Sequence, residues 1–240
     1  MELTFKIEIA GVSIAITSDD ERIYNRCKDY LTDKSADMAV NVNEEHLKKI
    51  REEENTANRG FVMNKVDAEF VALYRLISEK LIEKNVLAFH GSALSLDGQG
   101  VIFVGISGAG KSTHAALWRK VFGERVTAVN DDKPFIRFDG EEFYVCGSPW
   151  AGKEHIENNT QVPLRAIIYI NQSKTNTAFS LGFDESLRIA LQQSYRPRSA
   201  VIMKKTLDYA IKLCENINFY SLSCDMSEEA ALTAYRAVFG

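Results

Sequence analysis

Apolar and polar residues alternate along two short runs at the start of the chain, LTFKIEIA (3–10) and VSIAITS (12–18), either side of Gly11. A period of two is that of a half-buried strand, so the pair predicts strand, turn, strand. Asp19-Asp20 then marks a helix start, with acids in the first turn of ERIYNRCKDYL. MAVNVN (38–43) predicts a short strand, and EEHLKKIREEEN a solvated helix carrying charges of both signs. From Val66 the period lengthens: Val66, Phe70, Leu73, Tyr74, Ile77 and Leu81 recur at steps of three and four, an amphipathic helix running to about Asn85. Residues 1–86 read as a small α/β cap.

The texture changes at Val86. VLAFHGSALSL, GVIFVG, RVTAVND, KPFIRF and EFYVCG are short β-rich runs separated by Gly and Asp, and RAIIYIN (165–171) has the unbroken apolar character of a buried strand. Helical patterns follow at 184–194, 201–215 and 227–238, the last opening on Ser227-Glu228-Glu229 as a cap. NFYSLSC (218–224) lies between two of them as a further strand. A β-rich stretch followed by mixed helices and strands predicts an α/β domain with a mixed sheet over 87–240.

Composition narrows the function classes. With 45% hydrophobic and 26% charged residues in a chain of 240, a sizeable core is available and disorder of the whole chain is excluded. Residues 1–86 hold 13 basic and 17 acidic groups, net −4, and residues 87–240 hold 16 of each, net zero. No basic block exists, which argues against a nucleic-acid or anionic-membrane partner. Cys27, Cys146, Cys214 and Cys224 form no CxxC pair, poor material for a zinc site and suited to a reducing cytosol. The opening MELTFKIEIA carries an acid at position 2, and no apolar run approaches 18 residues, so the expected location is cytoplasmic.

The sharpest chemical signal is Gly105-Ile106-Ser107-Gly108-Ala109-Gly110-Lys111-Ser112, a full match to GxxxxGK[ST]. The strand pattern Val101–Val104 precedes it and the helical Thr113-His114-Ala115-Ala116-Leu117-Trp118-Arg119 follows, which is the setting the motif needs. Glycines let backbone N–H groups turn inward, and the helix beginning at Gly110 points its positive end at the same oxygens. Lys111 is placed to bridge the outer phosphates of a bound nucleotide, and the Ser112 hydroxyl to ligate Mg²⁺. Gly105, Ser107, Gly108, Ala109, Gly110, Lys111, Ser112 and Thr113 are therefore the predicted nucleotide-binding residues. His114, just inside the helix, either packs or approaches the nucleotide.

Asn130-Asp131-Asp132 follows the apolar run Val126–Val129, about twenty residues on. Two adjacent carboxylates at a strand end cannot both point the same way: one is suited to hold Mg²⁺ while the other faces an acceptor hydroxyl, and a plain turn is the competing reading. His90 closes the run Val86–Phe89 ahead of Gly91, a place where a histidine is more often structural than catalytic.

His90-Gly91, the phosphate loop and Asp131-Asp132 occur in the order and rough spacing of the catalytic domain of HPr kinase/phosphorylases, which this chain resembles over about residues 86–240. The resemblance implies a phosphoenolpyruvate carboxykinase-like P-loop fold and phosphoryl transfer from Mg-ATP to a hydroxyl. Under it Asp131 is the acid/base, His90 its supporting partner, Lys111 the phosphate-gripping lysine, and Ser112 and Asp132 the metal ligands. HPr kinases form hexamers, which leaves a homo-oligomer open, but no equivalent surface stands out in these residues. The family's glycine-rich second signature is replaced here by Cys146-Gly147-Ser148-Pro149-Trp150-Ala151-Gly152-Lys153-Glu154-His155, and the amino-terminal cap is shorter than the bacterial regulatory domain. The chain therefore looks more like the stand-alone HPr-kinase-related proteins, with free serine or the serine of a peptide or protein as acceptor.

Trp150 and Lys153 in that replacement stretch, together with Arg196 of Arg196-Pro197-Arg198, are the candidate acceptor-site residues. A surface hairpin with its tryptophan on the core, and a cap for the preceding helix, are the competing readings. A nucleotide-binding regulator or assembly partner without transfer activity is the alternative function, and carboxykinase-like chemistry on a keto acid a third.

Overall fold

The computed structural model of the chain describes residues 3–57, 62–152 and 154–240. The predicted amino-terminal hairpin is β1 (Leu3–Ile9) paired antiparallel with β2 (Val12–Ser18), Ile7 opposite Ile14 and Ile9 opposite Val12. Its two-residue turn holds Ala10 and Gly11 at φ 52° and 76°, the left-handed geometry that matches the twist of a hairpin. β3 (Met38–Asn41) adds parallel to β2 and ends two residues before the predicted boundary. α1 (Glu21–Cys27) starts on Asp20, whose carboxylate accepts from the Arg22 N–H. α2 (Glu44–Ala57) and α3 (Lys65–Leu81) follow; α3 is capped by Asn64 and buries Val66, Leu73, Ile77 and Leu81.

Nine strands build the second sheet: β4 (Val86–Ala88), β5 (Ser92–Leu96), β6 (Gln99–Val104), β7 (Val126–Asn130), β8 (Phe135–Phe138), β9 (Phe143–Cys146), β10 (Gln161–Gln172), β11 (Thr177–Ser180) and β12 (Asn218–Cys224). Their order is β4-β8-β9-β10-β6-β5-β7, with β12 also on β10 and β11 on β12. β10 organises the curl. Residues 161–163 pair antiparallel with β9; past a register shift between Leu164 and Ala166 the same strand runs parallel to both β6 and β12. β11 is unexpected from the sequence, because TAFS is too short and too exposed to show a period.

Helices cover both faces, as the two-fold alternation of the strands requires. α4 (Lys111–Phe122) and α7 (Glu228–Phe239) pack Trp118 and Ala234 on Val101, Phe103 and Ile168; α5 (Phe183–Gln193) and α6 (Ala200–Asn216) pack Ile189 and Leu213 on Ile102, Val104 and Ile167. A third cluster crosses residue 86: Ile7, Ile14, Ile16, Leu73 and Ile77 share a core with Val86, Ala88, Phe135 and Trp150. Among the described residues no helix is long and apolar enough to cross a membrane. The molecule is a mixed α/β structure with a curled mixed sheet.

Candidate functional site

The glycine-rich loop joins β6 to α4 at the end of two central strands. Gly108 and Gly110 adopt φ 78° and 97°, conformations that strain any side-chain-bearing residue. A Cβ on Gly105 would stand 3.1 Å from both the Ala109 Cβ and the Ile170 carbonyl oxygen, so this corner admits only glycine without local adjustment. Gln172 of β10 fixes the loop from outside, its Nε2 donating to the Gly108 carbonyl at 2.9 Å. The first N–H groups of α4 have no partner within the helix and face the loop with the positive end of the helix dipole, an arrangement that receives anions.

Ser107, Ser112 and Thr113 are exposed around this mouth, whereas Ala109 is buried beneath it. The Lys111 ammonium curls back over the loop, 3.3 Å from the Gly105 oxygen and 3.4 Å from that of Ile106. Burial lowers its pKa, and the Asp132 carboxylate acts in the opposite sense, so the two charges belong to one electrostatic site. A cavity of about 350 Å³ opens beside the loop, lined by Gly110, Thr113, Leu117, Gln172 and Asp225. His114 lines it too, but its ring is buried and packs: Nε2 accepts from Trp118 Nε1 at 3.1 Å and the ring meets Phe103 edge-on.

The acidic pair sits where β7 ends. Asn130, fully buried, organises the turn: Oδ1 accepts from the N–H groups of Asp132 (2.9 Å) and Lys133 (2.6 Å), while Nδ2 donates to the Ser148 carbonyl (3.0 Å). Ser148, also buried, donates to the Lys133 carbonyl at 2.6 Å. Neither Asn130 nor Ser148 stands out in the sequence as a site residue, although Asn ahead of Asp-Asp is the composition of an Asx turn. The turn sends the two carboxylates apart, and this corrects the expected pairing. His90 Nε2 stands 3.2 Å from Asp132 Oδ1, so the histidine supports Asp132 and not Asp131. Backbone bonds lock that juxtaposition, Gly91 N–H to the Asp132 carbonyl (3.0 Å) and Phe89 N–H to that of Pro134 (3.0 Å).

Asp132 Oδ2 also accepts from the Lys133 ammonium at 2.5 Å. Burial pushes the Asp132 carboxyl up, but the His90 hydrogen bond and the Lys133 charge outweigh it and bring the group down to about 2. It is a permanent anion at neutral pH. Asp131 is more deeply buried, and its Oδ1 accepts from the Gly152 N–H at 2.6 Å. Among the described residues no three His, Cys, Asp or Glu side chains cluster as a metal cage. The residues present fit Mg²⁺ rather than a caged metal, because Mg²⁺ is commonly held by one or two carboxylates with a hydroxyl, water and phosphate oxygens. Lys133 is the cation with which it would compete.

The expected acceptor-site residues divide. Trp150 is not a pocket wall: it is 4% exposed, stacks on Phe70 with centroids 5.3 Å apart, and donates Nε1–H to the Phe70 carbonyl at 2.8 Å. An indole with its one donor satisfied by an amino-terminal helix is a core residue. Lys153 lies outside the described residues. Arg196 is exposed on the rim of a second, larger cavity. The thiols are unsuited to nucleophilic work, since burial pushes Cys27, Cys146 and Cys214 up to about 12 and Cys224 to about 11.

No protein-family model matches the chain, and no curated protein is similar to it. Among solved structures it is similar to the Hpr(Ser) kinase/phosphatase from Coxiella burnetii, at 12% identity over 62% of this chain and 95% of that one, with a TM-score of 0.34: a distant structural relationship.

Proposed function

We propose that the protein is a Mg-ATP-dependent kinase that transfers a phosphoryl group to a hydroxyl, built on a phosphoenolpyruvate carboxykinase-like P-loop domain of the HPr kinase type. The acceptor is a serine, free or in a peptide or protein. One observation carries the reading: a glycine loop with a helix N-terminus and a half-buried lysine stands within electrostatic reach of an ionised carboxylate that a histidine holds at 3.2 Å. Phosphoryl transfer asks the protein mainly for positioning and charge neutralisation, and these are the groups that supply both.

In this reading each group has a role. The loop N–H groups and Lys111 hold the outer phosphates of ATP. Ser112 and Asp132 would hold Mg²⁺, which when bound would neutralise phosphate charge. Asp132 shares its electrostatic surroundings with Lys111 and so is assigned as the ligand, and Asp131, turned to the other side of the Asn130 turn, as the proton acceptor. One Asp131 oxygen is fixed by Gly152 N–H and the other takes the proton of the acceptor hydroxyl. The acceptor oxygen then bonds to the γ-phosphorus as the bond to the β–γ bridging oxygen breaks and ADP leaves. His90 orients Asp132.

The test is transfer of label from γ-labelled ATP to serine, HPr or a serine peptide. Asp131→Asn is expected to lose about 10²–10⁴-fold in rate with Mg-ATP affinity nearly unchanged. Normal turnover by that variant sinks the assignment. Tight Mg-ATP binding by the wild type with no label leaving ATP would instead make the protein a nucleotide-binding regulator.

A further inference from the structure

A cleft of about 790 Å³ separates α2 and α3 from the segment that follows α5. It is joined to the catalytic group at its floor. Lys133 lines the cleft, and its ammonium is the one bonded to Asp132. The far wall is pinned to the same place: His90 N–H donates to the Gln193 carbonyl (2.8 Å) and Tyr195 N–H to that of Ala88 (2.9 Å), which sets Arg196 on the rim beside the end of β4.

The charge of this cleft opposes that of the segment that walls it. Residues 1–86 are acidic overall, yet they turn Lys49 and Arg75 into the cleft, where Lys133, Arg196 and Arg198 face them from the other side. Among the described residues three carboxylates stand against these five cations: Asp132, which takes Lys133, with Glu53 and Glu79. Glu53 takes Arg75 at 2.6 Å and also holds Arg198, and Glu79 receives the Tyr195 hydroxyl at 3.0 Å. Lys49 and Arg196 form no ion pair among the described residues, and both are exposed. The Lys49 charge also acts on Glu53, so among the described residues Arg196 is the cation that no carboxylate of the cleft meets. A surplus of cations in a concave site concentrates anions, and a guanidinium pairs carboxylate or phosphate in a two-pronged geometry. The volume is that of a small-molecule site.

We infer that this cleft is the acceptor site, that the amino-terminal helices complete it, and that the acceptor is a small hydroxyl compound whose carboxylate or phosphate group is held by Arg196 and Lys49 while its hydroxyl reaches toward Asp131 and Asp132. The inference deepens the kinase reading and rests on it for the direction of the hydroxyl; anion binding in the cleft is measurable without turnover. The protein, saturated with a non-hydrolysable Mg-ATP analogue, is titrated calorimetrically with L-serine, with L-serinamide, which lacks the carboxylate, and with glycerol 3-phosphate. At least one of the two anion-bearing probes is expected to bind and serinamide not to; which one binds distinguishes carboxylate from phosphate. Arg196→Gln and Lys49→Gln each change an exposed side chain that makes no hydrogen bond or ion pair among the described residues. Each is expected to weaken the bound probe about tenfold and leave affinity for the ATP analogue unchanged. Absence of binding by both anions, equal binding of serinamide, or wild-type affinity in both variants overturns the inference. Probe binding that depends on Arg196, in a protein that transfers no label, would overturn the kinase reading and leave the anion cleft standing.

Discussion

His114 shows how a residue beside a motif can belong to the core instead of the chemistry. Its Nε2 accepts from Trp118, so the neutral ring carries its proton on Nδ1, and that atom is buried with no partner among the described residues. Burial brings its pKa down from 6.5 to about 4. The unfolded chain therefore takes up a proton as pH falls through 6.5, and the folded protein does so only near 4. Stability is complete above 6.5 and is lost progressively down to about 4, by about 3 kcal/mol at 1.36 kcal/mol per unit. Urea unfolding at pH 7.5, 5.5 and 4.5 should show this slope in the wild type and its loss in His114→Gln; an unchanged slope in the variant would remove His114 as the cause. At this scale the sequence speaks clearly where spacing is local. Gly105 to Ser112 is legible because one turn makes the whole site. The partner of His90 is not, because which carboxylate it meets depends on Asn130, and Lys133 reads only as part of a turn.

The segment 147–152 illustrates what an element without regular structure does. It packs so closely that a Cβ on Gly147 would lie 1.8 Å from the Asn158 carbonyl oxygen and 3.0 Å from that of Val129 in β7. Ser148 and Gly152 then hold Asn130 and Asp131 by hydrogen bonds. In the sequence this stretch reads as an acceptor site because Trp150 is aromatic and flanked by turn residues; it is a clamp because the indole has a core to enter. Gly152→Ala tests the clamp. Its Cβ would stand 2.8 Å from Asp131 Oδ2 and 3.1 Å from Cγ, with no backbone strain at this position, so the carboxylate must move. Misplacement of a catalytic group by about 1 Å costs up to about 10²-fold. The variant is expected to lose at least about tenfold in kcat with a melting temperature close to that of the wild type, and an unaltered kcat would mean that Asp131 is not the proton acceptor. Strands were legible wherever alternation or an apolar run reached five residues. β11 was not, because its pairing with β12 comes from the tertiary structure and not from its own four residues.

At the scale of the molecule, the change in texture at Val86 reads as a cap over 1–86 followed by a second domain over 87–240, and residues from both sides of that boundary share one hydrophobic cluster. Ala88, Phe135 and Trp150 lie in one cluster with Ile7, Ile14, Leu73 and Ile77, and Trp150 gives its only donor to the backbone of α3. Periodicity marks which residue of each element is buried but carries no record of which other element it is buried against, so a core shared across residue 86 is invisible in the sequence. Removing residues 1–86 exposes Phe135 and Trp150 together, at about 1.5–3 kcal/mol for each large apolar side chain. With Ala88 and Cys146 uncovered as well, the loss is a large share of the 5–15 kcal/mol that stabilises a typical domain. The fragment 87–240 is therefore expected to lose a cooperative unfolding transition and to bind a hydrophobic dye, although it retains every residue of the phosphate loop. A sharp transition within a few degrees of that of the full chain would show instead that the core beneath Trp150 closes without the amino-terminal helices. The same fragment lacks Lys49 and Arg75, so wherever it does fold, it separates nucleotide binding from anion binding in the cleft.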